Sequence, residues 1–135
     1  MNQVPQELNW VEKRAACTVA KVFNQLCNGI IEDVQSTNSV RQLPADSQFQ
    51  ADMNPKGNAI RVAQPAAIPR ARVSVGIANE RIAVQEEWAN GKHWSATVGL
   101  NDEGRCTLRL EDGTELEQWQ FRKRALESLL FGEMD

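Results

Sequence analysis

Apolar and polar residues change places along this chain with two different periods. From Val19, the residues Val22, Phe23, Leu26, Cys27, Ile30, Ile31 and Val34 recur at intervals of three and four. That spacing lays one apolar stripe along a helix over 18–36, with Thr18 at its start. A shorter helix over 10–16 is predicted before it, because Asn9-Trp10-Val11-Glu12 has capping-box form. Gly29 lies inside the long helix and costs about 1 kcal/mol against alanine, so the spacing predicts a close packing partner there. Residues 1–8 read as a flexible terminus, and 40–57 as polar and irregular.

After residue 58 the period changes to two. Val73, Val75 and Ile77 alternate with polar residues, as do Ile82 and Val84, then Trp94, Ala96 and Val98, then Cys106, Leu108 and Leu110. Turn chemistry separates the runs: Asn54-Pro55-Lys56-Gly57, Ala78-Asn79 or Asn79-Glu80, Asn90-Gly91, Asn101-Asp102-Glu103-Gly104 and Asp112-Gly113. The segment 58–111 therefore reads as an antiparallel meander with one packed face and one wet face. Gln48–Asp52 and Asn58–Ala63 read as a preceding hairpin, and Gln64–Pro69 as a proline-bounded connector. A closing helix over 115–131 follows, with Thr114 as N-cap and Glu117 as its partner. Its expected buried stripe is Leu116, Trp119, Leu126, Leu129 and Leu130, flanked by Phe121 and Ala125. The fold class expected is α+β in one domain: a meander of four to six strands packed by an N-terminal and a C-terminal helix.

With 135 residues, 41% hydrophobic and 24% charged, the chain can bury a core without metal or disulfides. A net charge of −3 gives no bulk attraction to nucleic acid or anionic membrane. No apolar run reaches the roughly 20 residues of a membrane helix, and no signal peptide is read in the first six residues. The odd count of three cysteines, without C-x-x-C spacing, reads as three buried small hydrophobes in a reducing compartment, hence a cytoplasmic location. With a single histidine, no metal site or cofactor is expected.

Candidate chemistry is sparse. The wet face of the meander is expected to carry Arg72, Arg81, His93, Arg105 and Arg109 with no acid among them, a surface for anions, nucleic acid or an acidic partner. Stacking aromatics are missing from it, which argues against single-stranded nucleic acid. Arg122 falls among Trp119, Leu126 and Leu129 on the helical wheel. It either reaches the edge of the helix, holds a buried carboxylate, or points into a pocket between sheet and helix. Trp88, Trp94 and Trp119 are the expected walls of such a pocket, with Trp88 in a loop and partly exposed. Arg122 as an anion clamp with His93 as acid or base would make an enzyme on a small anionic substrate, provided the two meet in one pocket. The sequence favours a non-catalytic binding module, for a small molecule or for a second copy of the chain.

Two resemblances bear on this. Glu87-Trp88-Ala89-Asn90-Gly91-Lys92-His93-Trp94-Ser95-Ala96-Thr97-Val98, with Leu110-Glu111-Asp112-Gly113, is similar to Tudor-type SH3-like barrels and would assign a binding role to Trp88 and Trp94. The pattern from Cys17 through Asn38, then the meander, then Glu117 to Phe131, resembles small bacterial proteins carried as integron or other mobile gene cassettes. That resemblance implies a helix–sheet–helix fold and no particular activity.

Overall fold

The computed structural model describes residues 8–66 and 71–132. The expected terminus thus lies outside them except for Leu8, as does the second half of the proline-bounded connector. Among the described residues there are three α-helices: α1 (Trp10–Ala16), α2 (Val19–Val40) and α3 (Gln118–Leu130). The strands are β1 (Gln50–Met53), β2 (Ala59–Ala63), β3 (Arg72–Ala78), β4 (Arg81–Glu87), β5 (His93–Leu100), β6 (Cys106–Leu110) and β7 (Glu115–Leu116). All pairs are antiparallel, and the sheet order is the chain order. The α+β class with an antiparallel sheet holds, but the strand count is seven, because both the weak first arm and the two residues of β7 pair.

The caps act as the sequence indicates at the front of the chain. The Asn9 side chain accepts from the Glu12 N–H at 3.2 Å, and the Thr18 hydroxyl accepts from the Lys21 N–H at 3.3 Å. At the back they do not. Thr114 donates its N–H to Asp112 in a turn, Glu115 pairs with Arg109 in β7, and α3 starts at Glu117 with Gln120 as its reciprocal partner.

Helices α2 and α3 cover one face of the sheet. Val22, Phe23, Leu26 and Ile30 of α2 meet Phe121, Ala125, Leu126 and Leu129 of α3 over Ile60, Val62, Val73, Val75, Ile82, Val84, Ala96 and Leu108. Fully burying one of the larger side chains contributes about 1.5–3 kcal/mol. Asn38, near the end of α2, bonds both the N–H and the C=O of Phe49 (2.8 and 3.0 Å) and fixes the chain entering β1.

Three expectations fail in the core. Trp119 is 54% exposed and so is not a core residue, Ile31 at the rim of α2 faces solvent, and Trp10 is 64% exposed as well. The cysteines are not three free hydrophobes. Cys17, between α1 and α2, is bonded to Cys106 at the start of β6 with Cα atoms 5.4 Å apart, and Cys27 is the free, buried one. No helix among the described residues is long and apolar enough to cross a membrane.

Candidate functional site

Strand β5 outruns β6. Its pairing with β4 covers His93 to Ala96, while its pairing with β6 starts at Ala96 opposite Leu110. His93, Trp94 and Ser95 therefore have no β6 partner. The Lys92 carbonyl accepts from Glu86 of β4 at 2.8 Å. Strand alternation then turns the backbone groups of His93 and Ser95 away from β4, toward the gap. At Leu110 the chain leaves the sheet through Asp112-Gly113, and the C-terminal half of α3 closes the far side.

The result is an open cleft of about 900 Å³, lined by the β5 residues with Trp88, Lys92, Leu110, Glu111, Arg124 and Ser128, among others. Its walls are braced. Trp94 stands edge-on to Phe121 of α3, with ring centroids 5.0 Å apart. Trp88 sits on a loop tied by Gly91 N–H to Trp88 C=O (2.9 Å) and by Lys92 N–H to a Glu86 carboxylate oxygen (2.8 Å). Asn90 takes the positive φ of this loop (66°). Gly91 is needed for a different reason: a Cβ there would lie 2.2 Å from the Glu86 carbonyl oxygen.

The carboxylates and the cations of the cleft differ in how they are engaged. Glu86 holds its loop, Glu111 pairs with Arg81 at 3.3 Å, and Asp112 caps its turn. Thr114, through its hydroxyl and then its N–H, holds the Asp112 carboxyl below its ordinary range, and the Arg124 charge adds to this. No ion pair or side-chain hydrogen bond among the described residues engages the charged or polar groups of Lys92, His93 or Arg124.

Sequence reasoning joined Arg122 and Trp119 to Trp88 and Trp94, and the fold separates them. Arg122 and Trp119 line a smaller groove of about 290 Å³ between α2 and α3, with Asp33, Lys123 and Phe131. There Arg122 Nε donates to an Asp33 carboxylate oxygen at 2.7 Å. Of the three roles open to Arg122, it takes the carboxylate partner, on a half-buried surface. Arg122 lines this groove and His93 the cleft, so the two do not meet as the enzyme reading required. Arg124, read from sequence only as a helix-dipole cation, is the arginine of the cleft.

Arg72, Arg81, His93 and Arg109 lie on the face of the meander away from the helices, but that face is not free of acids. Arg72 and Arg61 both reach Glu87 (3.0 and 4.0 Å), and Arg109 lies opposite Glu115. Arg105 stands in the turn before β6, paired with Glu103 (2.6 Å) and Glu117 (2.8 Å). Burial works against the Glu87 charge, but the Ser74 hydroxyl and the two arginines outweigh it and lower its pKa. Of the arginines expected to meet anions or nucleic acid, Arg72, Arg81 and Arg105 are thus held in local ion pairs. Among the described residues no cluster of histidine, cysteine and acidic side chains is arranged to hold a metal.

No protein-family model, no curated protein and no solved structure matches this chain.

Proposed function

We propose that this protein is a non-catalytic binding module that takes a small molecule in the notch where β5 runs past β6. The observation that carries this is the three-residue overhang of His93, Trp94 and Ser95. It carries a central strand beyond its β6 neighbour, between two tryptophans, in a cleft of about 900 Å³. Cavities of this size accommodate drug-sized ligands. The braced rings supply flat apolar walls, and the unpaired strand edge supplies direction. Nucleophile, metal and acid–base pairs play no part in this reading.

The cytoplasmic location that three free thiols imply loses that support, because a bond like Cys17–Cys106 persists in an oxidising setting.

Fragment titration followed by the indole N–H signals of nitrogen-15-labelled protein tests the site. Trp88 and Trp94 should shift with ligand while Trp10 and Trp119 stay in place. If every bound fragment instead moves Trp119, the α2–α3 groove is the site and this assignment is wrong.

A further inference from the structure

We infer that the notch selects a flat, singly charged anion, an aromatic or heteroaromatic carboxylate, over its neutral and cationic counterparts. The inference rests on the cleft being the ligand site and adds the chemical class. It comes from an asymmetry among the charged groups that line the cleft. The carboxylates Glu86, Glu111 and Asp112 each have one oxygen engaged, by a loop N–H, by Arg81 and by the turn at Thr114. A cationic ligand would share carboxylates that already hold a loop, an arginine and a turn in place.

The positive groups carry no such commitment. Lys92 and Arg124 are exposed and line the same cleft as His93, with no carboxylate within 4.0 Å of them among the described residues. Their N–H donors can turn to a bound carboxylate without breaking an existing contact, and a guanidinium presents two parallel donors to its two oxygens. The inward-facing N–H groups of His93 and Ser95 add uncharged donors of fixed direction. The aromatic part of the ligand follows from the walls: two indoles, one locked against Phe121, favour a planar ring system over a branched aliphatic one.

Three isosteres of one shape separate the alternatives: naphthalene-2-carboxylate, naphthalene-2-carboxamide and naphthalene-2-carboxamidine, with charges of −1, 0 and +1. Each is titrated into the folded full-length chain, with the Trp88 and Trp94 indole N–H signals as readout. The carboxylate should bind at least about tenfold more tightly than the other two, a margin that one charge-assisted bond supplies. Arg124→Gln and Lys92→Gln should each remove most of that margin, weakening the carboxylate more than the carboxamide. Both side chains are exposed, so the variants should fold, and unchanged signals from Trp10 and Trp119 would establish it. Equal binding of all three leaves the cleft as a ligand site and overturns the anion preference, as does tighter binding of the amidine. Failure of all three to move either indole signal overturns the cleft itself.

Discussion

The guanidinium of Arg122 lies directly on Gly29. A Cβ built at Gly29 would sit 2.6 Å from Arg122 Nη1 and 2.7 Å from its Cζ. The same side chain bonds Asp33, four residues further along α2. The glycine is the seat and the aspartate the counter-charge, so α2 and α3 meet through a polar contact beside their apolar one. Alanine at position 29 should gain about 1 kcal/mol of helix propensity but must push the guanidinium aside. Gly29→Ala should therefore stabilise the Arg122→Ala background by about 1 kcal/mol and the natural chain by clearly less. A double-mutant cycle in urea measures this, and strictly additive effects would show that the seat does not matter.

The cross-link between Cys17 and Cys106 spans 89 residues of sequence. Replacing both cysteines with serine should cost about 2–4 kcal/mol of stability, through a less restricted unfolded chain. Calorimetry on the oxidised protein and the double variant measures it, and coincident melting curves would dismiss the bond as a stabiliser. Burial pushes the Cys27 thiol up to about 11, so little thiolate forms at neutral pH. Iodoacetamide should leave the native protein unmodified and alkylate one cysteine after unfolding without reductant. Rapid labelling of the folded chain would mean that Cys27 is not enclosed.

Glu87 sets a pH dependence. Its folded pKa is lowered below the ordinary 4.5 by Ser74, Arg72 and Arg61 acting against its burial. A depressed carboxylate contributes stability that is fully present above its unfolded value and lost as pH falls through the folded one. The contribution should thus be intact above about pH 4.5 and fade below it. Glu87→Gln should destabilise the protein at neutral pH and flatten the acid limb, the two proteins converging at low pH. Parallel acid limbs in denaturant titrations from pH 2 to 7 would exclude Glu87 as a contributor.

How much of this was legible in the sequence depends on range. The long helix, its Thr18 cap, the hairpin around Asn54–Gly57 and the alternation from β3 to β6 are local, and the pattern carries them. The turn between β3 and β4 is local too, with Asn79 and Glu80 both at positive φ. Trp119 was misjudged because the wheel was anchored on Leu116, which belongs to β7. The true stripe runs Phe121, Ala125, Leu126, Leu129 and Leu130. The acid-free arginine face failed similarly, since Glu87 was read as loop and Glu115 as helix. Neither the partner of Cys17 nor the notch could be read from spacing. A pairing across 89 residues leaves no local trace, and the overhang of β5 is a property of register between strands.

The Cys17–Cys106 bond also gives the molecule an unusual anatomy. It closes α2 and strands β1 to β5 into a covalent ring, from which α1 and α3 leave as two tails. A protease that nicks any turn inside the ring leaves the pieces joined, heavier by only one water, until reductant is added. A cut just before Gln118 would release α3 from all covalent attachment, and with it the far wall of the cleft.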